Sequence, residues 1–419
     1  MSTNGVVDRL RREVQCRSLY IWGAGNQGRG LLRALERQGV AVSGFVDRSL
    51  AVRQSRPFGF EVKAPEDVLA NNGQPRPFIV IASFFSERQI IDQCIDAGLQ
   101  NEVDFMSYTA IKPFDYAIDI SGVCNLRCSS CPRGDRSRVH PPKGFMSSEE
   151  FAKVIDKIVE EDPLAGSVQL YQWGEPLLNA EIGQIIAEAH RKGVLCAISS
   201  NLNEERNLTS AIAAKPDWFR LSVSGWGENY EKTHTGGLWE LFYRNFNYLA
   251  RLRNEHCPDM KTEVYYHLYK HNQGDDLKRI EELCRNVSFE FHPVYAYLIS
   301  LDDVLDHLEG APLPREAERV SSMLAIPLEE GMDRARCERN MECQTLRCIH
   351  INWDLSVSNC MMFYNKAHNR VADNFLTISL ADISQRRKNS LLCKRCKAQA
   401  LHRYCSVYAT LQPTSVIPQ

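Results

Sequence analysis

The chain has 419 residues, 44% of them apolar, and a formal net charge of −2. That length exceeds one ordinary core and predicts two or three domains. The near-neutral balance argues against a broad nucleic-acid surface, no apolar run reaches the roughly 18 residues of a membrane span, and the polar start Met1–Gly5 has no apolar signal core, so the expectation is a cytoplasmic protein with neither nucleic-acid nor membrane partners.

Residues 1–110 read as an N-terminal domain of the doubly wound kind. Leu19–Trp22 is a short strand, followed by Gly23-Ala24-Gly25-Asn26-Gln27-Gly28 and a helix with Leu31, Leu32 and Leu35 on one face. A second strand, Ala41–Val46, ends at Asp47; a third, Phe78–Ala82, precedes a helix over Glu87–Ala97. This β-α-β-α-β order is half of a Rossmann-like fold. Gly23, Gly25 and Gly28 permit a tight turn and close approach of a diphosphate to a helix N-terminus, and Asp47 lies where a ribose hydroxyl would be read. The alternative is a relic half-domain that binds nothing. The segment resembles small Rossmann-type domains fused to enzymes of polysaccharide and nucleotide-sugar assembly, which implies NAD, a nucleotide sugar or no ligand.

Residues 111–325 alternate strands with amphipathic helices. Strand one, Tyr116–Ile120, leads into Cys124-Asn125-Leu126-Arg127-Cys128-Ser129-Ser130-Cys131. Structural zinc asks for four ligands, and no local fourth is present. Three thiolates suit a cubane iron–sulfur cluster with one iron left open. The helix Ser148–Glu161 follows, capped at Ser147 or Ser148. Strand two, Ser167–Gln172, ends in Trp173-Gly174-Glu175-Pro176, and strand three, Leu195–Ser199, in Ser200-Asn201. Strand four, Trp218–Val223, ends in Ser224-Gly225; strands five and six are Glu263–Leu268 and Phe289–Tyr295. Six such units predict a partial (β/α)6 barrel with functional residues at the C-terminal strand ends. Arg133, Arg136, Arg138, His140 and Lys143 form a basic loop that is either solvated or a clamp for an anionic substrate group. His267, Tyr269, Glu290 and His292 are candidates for substrate hydrogen bonds or proton transfer, with packing the equal alternative.

The Cys-x-x-x-Cys-x-x-Cys spacing after a strand resembles the radical S-adenosylmethionine (SAM) enzyme family. The resemblance implies a [4Fe–4S] cluster on Cys124, Cys128 and Cys131, with SAM chelated at the open iron. Reductive cleavage of SAM then gives a 5′-deoxyadenosyl radical that abstracts hydrogen from a substrate. It also implies cofactor contacts for Gly174, Glu175 and Pro176 at the SAM amino group, and for Ser199 and Asn201 at its ribose and carboxylate. Ser222, Ser224 and Gly225, with Tyr230 and His234 downstream, resemble the family's strand-four pattern, although an Asp is common where Ser224 stands. The residue before the third cysteine is often aromatic and covers the adenine; here it is Ser130, so that contact is expected from elsewhere.

Residues 326–419 hold seven of the fifteen cysteines. Cys348 and Cys360 flank a hairpin over Ile349–Val357, and Cys393-x-x-Cys396 is a metal-ligand turn. These four predict a second cluster, with zinc the alternative. Cys337, Cys343 and Cys405 are spare thiols, ligands of a further cluster, or substitutes for one of the four. The order resembles the SPASM or twitch extensions of radical SAM enzymes and implies at least one auxiliary [4Fe–4S] cluster, although Asp354-Leu355 stands in the hairpin where the family usually has Asp-Gly. The region beyond Tyr408 reads as a loose tail.

The whole is an α/β chain: a Rossmann-like domain, a partial barrel and a small cysteine-rich iron–sulfur domain. The function expected is a radical SAM oxidoreductase or epimerase acting on a sugar or nucleotide sugar, with flavodoxin or ferredoxin as electron donor. A peptide or protein maturase and a non-catalytic iron–sulfur scaffold are the alternatives.

Overall fold

The computed structural model describes residues 3–70, 75–83, 86–134, 140–365 and 367–410. Contacts divide the chain into two compact units. The first comprises Met1–Asp115, Lys153–Val168 and Ala189–Leu195; the second comprises Tyr116–Ala152, Gln169–Glu188 and Cys196–Gln419.

The first unit contains β1 (Leu19–Trp22), β2 (Gly44–Val46), β3 (Val62–Lys63), β4 (Phe78–Ile81) and β5 (Phe105–Ser107). They form one parallel sheet in the order β3-β2-β1-β4-β5. Alternation along the strands feeds two apolar layers, as the strand period requires. Leu19, Ile21, Phe78 and Val80 join Leu31, Leu32 and Leu35 of the helix Asn26–Arg37 and Val6, Val7 and Leu10 of the helix Thr3–Cys16. Trp22, Ile79 and Ile81 face Ile90 and Cys94 of the helix Glu87–Asp96. The sequence pattern predicts three of these strands. β3 and β5 are two and three residues long, too short to show a period of two.

The second unit is built on a nine-stranded sheet. Its first six strands are β6 (Asp115–Ile118), β7 (Ser167–Gln169), β8 (Leu195–Ser200), β9 (Trp218–Val223), β10 (Lys261–Leu268) and β11 (Glu290–Tyr295). They lie in sequential order, with parallel pairing at β6–β7, β8–β9, β9–β10 and β10–β11, which is the partial barrel. On β9 and β10 one face is fully buried (Phe219, Leu221, Val223, Thr262, Val264, Tyr266), whereas Arg220, Ser222, Glu263, Tyr265 and His267 on the other are only partly covered. β7 stops three residues short of the expected Gln172. The backbone there turns to deliver the Trp173 and Gly174 amides to Asp119.

Beyond β6 the sheet continues through β12 (Cys348–Ile351), β13 (Val357–Ser358) and β14 (Arg370–Ala372). β12 and β13 form the expected hairpin, and β14 adds a third antiparallel strand. The Asp119 amide donates to the Ile351 carbonyl at 2.8 Å, so the C-terminal segment is hydrogen-bonded to the barrel's first strand. One apolar cluster also spans Tyr269, Leu298, Leu301 and Leu305 together with Leu392, Leu401, Tyr404 and Tyr408. The cysteine-rich segment therefore shares the barrel's sheet and part of its core.

Candidate functional site

The thiol loop begins where β6 ends and is tied down along its length. The Arg127 amide donates to the Thr235 carbonyl (2.8 Å) and the Ser129 amide to Thr233 (3.0 Å). Within the loop, the Cys131 amide bonds the Cys128 carbonyl (3.0 Å) and the Gly134 amide the Cys131 carbonyl (2.8 Å). Asn201 Nδ2 lies 3.0 Å from Asn125 Oδ1 and 3.7 Å from Cys124 Sγ. Burial and mutual proximity raise the thiols: Cys124 is pushed up to about 12 and Cys128 well above its ordinary value, each sensing Cys131. Three half-buried thiols that repel one another's negative charge, beside an amide donor aimed at sulfur, are a donor set that a cationic iron–sulfur core would satisfy.

Two carboxylates brace the strand ends around this loop. Asp119, just past β6, is 3% exposed and accepts from the Trp173 and Gly174 amides, both at 3.1 Å. Glu175 is 2% exposed; its carboxylate accepts from the Asn201 amide (2.9 Å) and the Leu177 amide (3.1 Å), and its own amide donates to the Val123 carbonyl (2.8 Å). Burial raises Glu175 to about 7, opposed by the Asn201 and Leu177 amides. Gly174 fits only as glycine, because a Cβ would lie 1.7 Å from the Ser121 carbonyl oxygen. Pro176 opens a short 3₁₀ turn. Ser199 lies on β8 facing the partly covered side, and Asn201 follows the strand end. Ser224 is buried, and its carbonyl faces Thr233 Oγ1 at 3.5 Å. Asn203 escapes sequence reading: its Nδ2 donates to Tyr230 Oη at 2.6 Å and its carbonyl accepts from Asn125. Asp119 escapes it too, although an acid directly after an apolar strand was a legible signal.

Tyr269 is an aromatic residue beside Ser130. It is buried beyond the end of β10 and hydrogen-bonds the Ser130 hydroxyl, which puts an aromatic ring against the thiol loop. His234 stacks on Tyr230 with ring centroids 4.4 Å apart, and burial lowers it to about 4. His267 is held down to about 3 by burial, then by Arg220 and His234. Both imidazoles are neutral at pH 7. Glu263, Glu290 and His292 converge, but Lys261 Nζ sits 2.7 Å from Glu263 and 3.1 Å from Glu290 and supplies the counter-charge. Of the basic loop, Arg133 donates to the Gly122 carbonyl (2.9 Å), His140 Nδ1 lies 3.2 Å from Tyr364 Oη, and Lys143 is exposed. Arg136 and Arg138 lie outside the described residues.

A second thiol set encloses a cavity lined by Cys343, Cys360, Cys393, Cys396, Thr345, Asn359 and Arg387. Cys393 and Cys396 sit on the helix Leu391–Ala398, capped by Ser390, whose Oγ accepts from the Cys393 amide (3.1 Å). Asn359 Nδ2 is 3.3 Å from Cys393 Sγ, and Thr345 Oγ1 lies 3.1 Å from Cys343 Sγ and 3.7 Å from Cys360 Sγ. Burial raises Cys360 to about 11, and the neighbouring thiols Cys360, Cys343, Cys393 and Cys405 raise Cys396 beyond its burial. Arg387 is 1% exposed; Nε and Nη2 donate to the Asn359 and Thr345 carbonyls, while Nη1 is buried without a partner. An unspent cationic donor beside four thiols fits a negatively charged thiolate cluster. Cys348 is on β12 and is not among the cavity-lining residues, whereas Cys343 is. Cys405 is half-buried and hydrogen-bonded to Tyr297, and Cys337 is exposed.

In the first unit, Gly23 has φ +110° and Gly28 packs against it, where a Cβ would meet the Gly23 carbonyl oxygen at 1.8 Å. Gly25 precedes the helix Asn26–Arg37 and faces open space. Asp47 stands at the end of β2, but its oxygens already accept from the Ala24 amide (3.3 Å) and the Ser49 amide (2.9 Å).

Fold and thiol loop together define a partial-barrel iron–sulfur protein. Residues 118–284 match the model of the Radical SAM superfamily, so the chain carries a radical SAM domain. A search of curated proteins finds no match. Among solved structures, BtrN in complex with AdoMet and 2-DOIA is 14% identical, covering 72% of this chain and 93% of its own, at a TM-score of 0.39. Streptococcus suis SuiB bound to precursor peptide SuiA is 12% identical over 76% of this chain and 74% of its own, at 0.45. Native anSMEcpe with bound AdoMet is 15% identical over 71% of this chain and 95% of its own, also at 0.45. No helix among the described residues is long and apolar enough to cross a membrane.

Proposed function

We propose that the enzyme dehydrogenates a small polar substrate, a sugar or nucleotide sugar, in a reducing, cytoplasmic setting with flavodoxin or ferredoxin as electron donor. The observation that carries this is the second thiol set. Hydrogen-atom removal leaves a carbon radical, and dehydrogenation requires one more electron and one proton to leave; four thiols around a cavity beside the unpaired Nη1 of Arg387 would hold an auxiliary cluster able to accept the electron, with the proton passing to a base or solvent. Cys124, Cys128 and Cys131 would hold the first cluster, and Cys343, Cys360, Cys393 and Cys396 the second. When bound, the first cluster and SAM supply the 5′-deoxyadenosyl radical that removes the hydrogen atom. The chain's own part is to position these groups. Gly174, Glu175, Pro176, Ser199, Asn201 and Ser224 shape the SAM side, Tyr269 offers the aromatic surface, and neutral His267 offers a hydrogen-bond acceptor inside the barrel. Gly23, Gly25 and Gly28 would bind the nucleotide part of a ligand through backbone, with Asp47 bracing the loop.

Epimerisation is the second reading, because it needs a protein hydrogen-atom donor and Cys405 is a half-buried thiol, raised to about 12, bonded to Tyr297. Anaerobic reconstitution with SAM, reductant and C-deuterated UDP-hexoses separates the readings. Dehydrogenation puts deuterium into 5′-deoxyadenosine with an equal amount of oxidised sugar, whereas epimerisation in D2O puts solvent deuterium into the sugar. Deuterium transfer from peptides and not from sugars would favour a maturase, and no 5′-deoxyadenosine under any condition would overturn the enzymatic reading. Iron and sulfide counts on Cys343→Ala and Cys348→Ala test the ligand set: the first should lose about four irons and the second none.

A further inference from the structure

Arg220 is in the middle of β9 on the partly covered face of the sheet, beside Glu263 in the register with β10. Its guanidinium carbon lies 3.6 Å from the centroid of the Tyr265 ring. Tyr171 hydrogen-bonds it, and Tyr297 lies close enough to sense its charge. Nε is sealed from solvent and has no hydrogen-bond partner. Among the described residues no carboxylate pairs with it, since Glu263 gives its carboxylate to Lys261 at 2.7 Å. The neighbouring imidazole, His267, is neutral.

A guanidinium taken out of water without a counter-charge is costly unless a negative group completes it. Arginine's planar fork, flanked by tyrosine hydroxyls, matches the oxygen geometry of a carboxylate or phosphate, and the Tyr265 ring fixes the fork's plane. We propose that Arg220, with Tyr171, Tyr265 and Tyr297, forms an anion subsite inside the barrel that holds a carboxylate or phosphate of the substrate. The proposal rests on the barrel being the substrate chamber of a radical SAM enzyme and narrows its substrates to acidic or phosphorylated ones. Tyr297 links Arg220 to Cys405, so an anchored substrate would lie toward the second thiol set.

The test is anaerobic calorimetry on the reconstituted enzyme with inorganic phosphate and with glucuronate, which separate the two anion sources and carry no nucleoside for the N-terminal unit to bind. Wild type should bind at least one, and Arg220→Gln should weaken that probe by about tenfold or more. Arg220→Lys should recover part of the loss. Iron content, SAM affinity and substrate-free release of 5′-deoxyadenosine should stay at the wild-type level in both. No binding of either probe by wild type, or equal binding by wild type and Arg220→Gln, overturns the subsite. Should Arg220→Gln fail to fold, Tyr171→Phe serves: about threefold weaker binding is expected, and unchanged binding overturns the proposal. Wild type that binds a probe but never releases 5′-deoxyadenosine would refute the enzymatic reading and leave the anion site standing.

Discussion

Gly174→Ala is the sharpest perturbation of the site. The new methyl would sit 1.7 Å from the Ser121 carbonyl oxygen and 2.6 Å from its carbon, both backbone atoms that no rotamer can move. Relief requires the strand-end loop to shift by more than an ångström. Overpacking of this kind costs about 1–3 kcal/mol. The shift also stretches the Trp173 and Gly174 amides away from the buried Asp119 carboxylate, two charge-assisted bonds at 3.1 Å. Losing one adds about 2 kcal/mol. The expected total is about 3–5 kcal/mol, read as a fall in Tm of roughly 10 °C by differential scanning calorimetry on the cluster-loaded enzyme. SAM affinity should fall as well, because Glu175 and its bond to Asn201 move with the loop. A Tm within about 2 °C of wild type with unchanged SAM affinity would refute the steric argument.

Tyr230→Phe removes the nearer acceptor of the Asn203 side chain, at 2.6 Å, and leaves its buried Nδ2 with only the longer 3.4 Å bond to the Asn201 carbonyl. A loss of about 1–3 kcal/mol is expected in urea unfolding, with lower cluster retention by visible absorbance. Unchanged values in both would show that the bond has no role. Unfolded His234 takes up its proton near 6.5 and the folded residue near about 4, so the unfolded chain holds more protons between those values. The neutral-His234 contribution is complete above about pH 6.5, falls by about 3 kcal/mol on going down to pH 4, and is flat below that. His267 extends the same trend to about pH 3. Urea midpoints at several pH values should therefore drop less steeply toward acid in His234→Gln than in wild type, and parallel profiles would contradict the assignment.

What the sequence revealed follows the strength of its local signals. The six barrel strands are apolar runs of useful length, and the three thiols recur at a spacing that one loop can satisfy. The helix Ser148–Glu161 was legible from its cap, and Ser147 and Glu150 do form a reciprocal capping box at 2.9 and 3.2 Å. β3, β5 and β14 were not, because two or three residues carry no periodicity and exist only through their neighbours. The choice between Cys343 and Cys348 depends on which end of a short 3₁₀ turn, Gln344–Arg347, faces the cavity. Spacing along the chain cannot encode that. Arg220 was invisible for a related reason: one basic residue in an apolar strand acquires meaning only when three tyrosines from elsewhere surround it.

β6, which launches the thiol loop, has β7 on one side and β12 on the other. The strand that carries the reactive loop is thus an interior strand, locked by a segment that enters more than two hundred residues later in the chain. Excising everything after residue 325 would bare a fresh row of amides and carbonyls beside the thiol loop and invite association between copies. The cysteine-rich tail is consequently no detachable cassette: during synthesis, the root of the thiol loop stays open-edged until the last quarter of the protein arrives.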